Sequence, residues 1–200
     1  QSNAIALNGC TTPFGLARVD KEFANMLLQK NTELIVDEKI FDSEQSINLQ
    51  VPLLQFATKD KMHELKILPI ILGDIDYNKL AIDLKETIVE SGKKVVFIIS
   101  SDFTHYGRLY HHVPFSQSPK EKIYEIDGKA IEFIKSLDVN GFLTFTEENM
   151  TNICGTIPIA LLMKTLKSSK GELLHYYTSA DLDPEDKYKN SVSYASIVFG

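Results

Sequence analysis

Lys94-Val95-Val96-Phe97-Ile98-Ile99-Ser100-Ser101-Asp102-Phe103-Thr104-His105-Tyr106-Gly107 is the stretch on which the reading of this chain turns. From Val95 to Ile99 every residue is apolar and all but Phe97 are β-branched. A short, unbroken run of this kind predicts a strand over Lys94–Ser101, central in its sheet and buried on both faces. The residues that follow bring hydroxyls, a carboxylate, an imidazole and a phenol to the end of that strand. In layered α/β sheets, ligands gather outside the carboxyl ends of the strands, so this is where chemistry is expected.

Working outward, Val19–Gln29 spaces Val19, Phe23, Met26 and Leu27 as one face of a helix opened by Asp20. Ser46–Phe56 reads as a helix with Pro52 inside it, Leu65–Leu72 as a strand closed by Gly73, and Tyr77–Glu90 as a helix. Further on, Glu121–Leu137 and Ile157–Lys167 read as helices, and Leu173–Tyr177 and Ser191–Phe199 as closing strands. Strands alternating with helices imply an α/β layered single domain with a mostly buried central sheet flanked by helices. The residues Gln1-Ser2-Asn3-Ala4 read as an expression-tag remnant, which leaves residues 5–200 as the domain.

Composition narrows the function classes. The 200 residues carry a net charge of −6, and an acidic chain argues against general nucleic-acid binding, which needs clustered Lys and Arg. No apolar run approaches the roughly 18 residues needed to span a membrane. Cys10 and Cys154 lack finger-type or CxxC spacing, so a reduced, cytoplasmic protein is expected.

Two groups of residues are candidates for chemistry. Asp102 and His105 stand three apart, a spacing that on a helical turn shares one face. A carboxylate there fixes the imidazole's tautomer and raises its basicity; the alternative is that Asp102 caps a short helix while His105 packs under a loop. Cys154 precedes the helix that Pro158 and Thr156 open. A helix N-terminus favours anions, and a thiolate is both nucleophile and soft ligand; the alternative is a structural cysteine. The remaining titratable residues read as structural. His111-His112 fits a solvated loop, His63 the surface, His175 a half-buried strand position, and Asp181–Asp186 a solvated acidic loop. Arg108, Lys93 and Lys94 are the cations available to an anionic ligand.

Taken together, several segments resemble a family signature. Ser100-Ser101-Asp102-Phe103-Thr104-His105-Tyr106-Gly107 is similar to the hallmark of the Memo family, also called AmmeMemoRadiSam system protein B. Thr151-Asn152-Ile153-Cys154-Gly155 with Pro158-Ile159, Ser191-Val192-Ser193-Tyr194-Ala195, and Thr12-Pro13-Phe14-Gly15 with Val19-Asp20 resemble further segments of it, in the same order. The similarity runs from about Ile5 to the end and corresponds to the C-terminal two-thirds of the family.

The resemblance implies a fold like that of class III extradiol dioxygenases. It also implies a pocket in which Asp102, His105 and Cys154 are the catalytic group and His105 and Cys154 the metal ligands. Ser100, Ser101, Thr104 and Tyr106 are expected to line it for a small-molecule or peptide ligand. Iron or copper, redox activity, phosphotyrosine-peptide binding, and radical SAM and AMMECR1-like partner proteins are also implied by the resemblance. Two departures weigh against the metal. The family's two N-terminal histidine ligands would precede Ile5. The helix that brings imidazoles elsewhere in the family reads Glu44-Gln45-Ser46-Ile47-Asn48-Leu49-Gln50-Val51-Pro52 here, and amides are poor ligands for iron or copper. The expectation is therefore a Memo-like pocket, poor in metal, with no tightly bound cofactor; the alternatives are a metal-dependent (iron or copper) redox or dioxygenase-like enzyme and a non-catalytic module that binds a peptide or small anion.

Overall fold

The computed structural model describes residues 3–42, 44–167, 170–183, 185 and 188–200. The chain is α/β, and its contacts divide it into two compact units, residues 1–100 and 101–200.

In the first unit, β1 (Ala4–Ile5) lies between β4 (Ile35–Val36) and β6 (Ile70–Ile71). A second small sheet orders β2 (Cys10–Thr12), β3 (Gly15–Val19) and β5 (Lys66–Ile67). Asn3 and Ala4, set aside as a tag remnant on the sequence, are built into this unit. Ala4 pairs with Ile35 and Ile71, and the Asn3 amide donates to the Asp74 carbonyl. The helices follow the predicted spacing. The helix α1 (Lys21–Lys30) is capped by Asp20, whose carboxylate accepts from the Phe23 amide, and it buries Phe23, Ala24 and Leu27. Pro52 sits inside α2 (Gln45–Ala57), and α3 (Tyr77–Ser91) ends on Gly92 at φ 63, a left-handed stop that suits glycine. The predicted strand over Leu65–Leu72 is two short pieces, β5 and β6, with Pro69 between them; proline has no N–H to give a ladder.

The structure departs from expectation at Lys94–Ser101. No described strand pairs with Lys94–Ser101, and Val96 is 84% exposed and Ile98 48%. This is not a central strand buried on both faces. A β-branched run reports a preference for extended backbone, and the preference makes a sheet only where another segment offers the partner groups.

In the second unit, β7 (His105–Gly107), β9 (Asn190–Phe199) and β8 (Gly171–Thr178) form an antiparallel sheet with β9 in the middle. The Ser191–Ala195 segment is thus the strand that both neighbours read. Helices α4 (Pro119–Lys135), α5 (Val139–Glu148) and α6 (Thr156–Thr165) bring Ile123, Ala130, Ile131, Phe142, Ile159 and Ala160 into the core. The α5 helix was not predicted; it is opened by Asp138, which accepts from the Gly141 amide.

Two further expectations are corrected in this unit. Asp181 is no solvated loop residue. It opens the short helix α7 (Ser179–Leu182) as the acid of a capping box with Thr178. Lys120, Tyr124 and Tyr188 all donate to its carboxylate, at 2.7, 2.6 and 2.6 Å. Pro184 and Asp186 of the same run lie outside the described residues. His175 is in a strand as expected but exposed rather than half-buried.

Candidate functional site

The site is assembled in the second unit from the segment around β7 and the turn before α6. Gly155 explains how they meet. A Cβ at Gly155 would lie 2.3 Å from the Ser101 Cβ, so only glycine lets the turn come this close. The Gly155 amide donates to the Ser101 hydroxyl at 2.9 Å, and that hydroxyl donates to the Asp102 carbonyl at 2.9 Å. The contact sets the Cys154 sulfur against Asp102. The Asp102 amide donates to Sγ at 3.2 Å, and the Ser101 hydroxyl is 3.7 Å from it. Cys154 is exposed.

His105 is held from the same turn. Its backbone N–H donates to the Asn152 side-chain oxygen at 2.9 Å, and the Asn152 amide donates back to the His105 carbonyl at 2.7 Å. Its ring Nδ1 lies 3.2 Å from the Asn152 carbonyl. Only the protonated Nδ1 is a partner for a carbonyl, so this contact selects the tautomer that leaves the Nε2 lone pair free. Nε2 stands 3.6 Å from Asp102 Oδ2. Asp102 beside it, with the Asn152 carbonyl in support, pushes the His105 pKa up, and partial burial pulls against this. Asp102, His105 and Cys154, separated by 52 residues of chain between the carboxylate and the thiol, therefore meet around Asp102.

Beyond β7 the chain folds straight back. Gly107 takes φ 120, and a Cβ there would lie 2.4 Å from the Lys189 carbonyl oxygen, which excludes other residues. A tight turn follows, and the Gly107 and His112 backbones exchange hydrogen bonds of 2.8 and 3.2 Å. The Tyr110 ring meets the His105 ring edge-on at 5.5 Å. His112 is half-buried; burial pushes its pKa down, and the charge on His105 adds to this. His111 is exposed, as the loop reading requires.

The predicted lining residues divide. Ser101 belongs to the cluster. Thr104 and Tyr106 are buried, and their hydroxyls are committed inside the protein, to Asp127 at 2.7 Å and to the Phe115 carbonyl at 2.7 Å. Ser100 is the last residue of the first unit and is half-buried. Of the candidate cations, Lys93 is paired with Asp20 and Glu22, while Lys94 and Arg108 are exposed. Among the described residues, no group of three or more His, Cys, Asp or Glu side chains is arranged to hold a metal ion. Sequence reasoning missed the contacts of Asn152 and Tyr110 with His105, and its solvated-loop reading of His112 is corrected, since that residue is half-buried. Asn152 had a signal in its place two residues before Cys154, and Tyr110 and His112 had one in the glycine that turns the chain back.

The profile of the family described as "Memo-like protein" matches residues 1–198. A MEMO1 family protein of Thermococcus kodakarensis is 36% identical over 198 residues, covering 94% of this chain and 67% of the relative. Relatives described in the same words from Pyrococcus horikoshii and Methanopyrus kandleri are 30% and 33% identical; 94% of this chain is covered in each case, against 67% and 63% of theirs. The chain thus spans about two-thirds of the length of these relatives. With residues 1–198 of its 200 matched by that family's profile, the chain belongs to the Memo-like protein family.

Proposed function

We propose that this chain carries a Memo-type site that works through its own thiol, imidazole and carboxylate on a small polar molecule, with any transition metal held only weakly. The observation that carries the reading is the Cys154 sulfur 3.2 Å from the Asp102 amide, on the residue whose carboxylate faces His105 Nε2. In this arrangement Cys154 supplies a nucleophilic or soft-donor sulfur, and the Asp102 N–H stabilises negative charge on it. His105, its tautomer set by Asn152, accepts or returns a proton at Nε2, and Asp102 stabilises the imidazolium that results. Exposure of Cys154 leaves the sulfur open to a ligand.

Iron or copper comes to this reading from the family resemblance. A persistent site for either needs at least three converging donors. Among the described residues no three His, Cys, Asp or Glu side chains are arranged to hold a metal ion, and Cys154 meets Asp102 at its backbone amide, so this reading routes no step through a metal. In this reading His105 and Cys154 are the donors left to a soft ion.

The test is modification of Cys154 by iodoacetamide, followed by mass spectrometry across pH 5 to 9. The reading predicts that Cys154 is alkylated faster than Cys10, and that His105→Gln slows Cys154 about tenfold or more while leaving Cys10 unchanged. Equal rates for wild type and His105→Gln at every pH would remove the imidazole from the site's chemistry.

A further inference from the structure

The most completely buried carboxylate near the site is one the chemistry above leaves out. Asp127, in the middle of α4, is 0% exposed. Its Oδ1 accepts from the Thr104 hydroxyl at 2.7 Å, and its Oδ2 from the hydroxyls of Tyr176 at 2.6 Å and Ser193 at 2.5 Å. Burial pushes its pKa up, and the three hydroxyls oppose that shift. A buried carboxylate is costly to desolvate. Replacing such a group and its partners together by apolar residues of similar shape is often close to neutral for stability. Stability alone therefore gives little reason for an acid here.

The three donors have a common geometry. Thr104 is the residue before His105, Ser193 lies in the central strand, and Tyr176 lies in β8. The Thr104 carbonyl accepts from the Ser193 amide at 3.0 Å, and the Phe103 amide donates to the Ser193 carbonyl at 2.9 Å. One carboxylate thus pins Thr104 by its side chain while the central strand pins it by its backbone. His105, one residue on, emerges at the position where Asn152 and Asp102 receive it.

We propose that Asp127 is a positioning residue for the His105 site: from the buried face of α4 it fixes Thr104, and through Thr104 the backbone that presents the imidazole to Asp102 and Asn152. The proposal rests on the reading of His105 as a working residue, and its test does not depend on that reading.

The experiment is residue-resolved amide hydrogen exchange by NMR on the full chain, comparing wild type with Thr104→Val, Asp127→Asn and Tyr176→Phe. Thr104→Val removes only the link to the His105 segment and preserves side-chain shape. Tyr176→Phe removes only the link away from it. The proposal predicts that Phe103, His105 and Ser193 amides exchange at least tenfold faster in Thr104→Val and Asp127→Asn, with a shift of the His105 ring resonances. Amides of α5 and α6 change no more than overall stability requires, and Tyr176→Phe leaves the His105 ring where it was. Exchange that rises uniformly over the unit, or that leaves those three amides and the His105 ring unchanged in Thr104→Val, overturns it. If His105 proves irrelevant to Cys154 alkylation, the functional reading falls while the exchange result still decides the role of Asp127.

Discussion

Asn152 grips His105 from both ends of its backbone and from its ring: the His105 N–H to the Asn152 side-chain oxygen at 2.9 Å, the Asn152 amide to the His105 carbonyl at 2.7 Å, and Nδ1 against the Asn152 carbonyl at 3.2 Å. The two side-chain bonds fix where the histidine stands, and the ring contact fixes which nitrogen is free.

Asn152→Ala removes the two side-chain bonds and leaves the His105 N–H and C=O without those partners. The expected loss of stability is about 1–3 kcal/mol, the usual cost of orphaned backbone groups. Asn152→Asp keeps the acceptor and loses the donor, so it falls between wild type and alanine. Chemical denaturation monitored by circular dichroism checks the order of the three.

Gly155→Ala places a methyl carbon 2.3 Å from the Ser101 Cβ. Gly155 itself has φ −98, a value any residue adopts, so the effect is steric alone. The Cys154 turn must withdraw from Ser101. We expect about 1–3 kcal/mol of destabilisation from the overpacking, and a Cys154 alkylation rate that departs from wild type. A variant with wild-type stability and wild-type Cys154 reactivity would show that the close approach is not needed.

The pKa of His105 is raised in the folded protein, chiefly by Asp102. A raised histidine contributes stability that is fully present below its ordinary pKa of about 6.5 and disappears as pH rises through the folded value. Asp102→Asn should therefore lower the His105 titration toward the ordinary value. It should also cost stability in mildly acidic solution, and that cost should fade as pH rises through the folded value. Asp102 is 44% exposed at its side chain, so the acidic-side effect stays below about 1 kcal/mol. Proton NMR of the His105 ring and melting curves at pH 5.5 and 8.5 give both quantities.

Much of this architecture is legible in the sequence because local rules carried it. Asp20 capping α1, the apolar spacing of α4 and the Gly92 stop after α3 each depend on a few neighbouring residues. Lys94–Ser101 was misread because a strand is a relation between segments, and residue type announces only one half of it. Asp102, His105 and Cys154 are singled out in the sequence by their chemistry and by family pattern, and the structure brings them together around Asp102. Their supports were hidden for a different reason: Asn152 and Asp127 act through hydrogen bonds to residues 47 and 23 positions away. Nothing in a linear sequence distinguishes such an asparagine from a turn residue, or such an aspartate from one on a solvated helix face. The bonding of Asp181 escaped notice likewise, since its partners Lys120 and Tyr124 come from a helix about sixty residues earlier, at separations of 61 and 57.

In the proposed reading the site works through Cys154, His105 and Asp102 and holds a transition metal only weakly. Elemental analysis of this chain after incubation with iron, copper and zinc salts and then dialysis against a chelator tests it most directly, with His105→Gln and Cys154→Ser run in parallel. Well under about one-tenth of an equivalent of each metal is expected in all three proteins. Near-stoichiometric iron, copper or zinc retained by the wild type and lost in both variants would contradict it and make the site a metal centre.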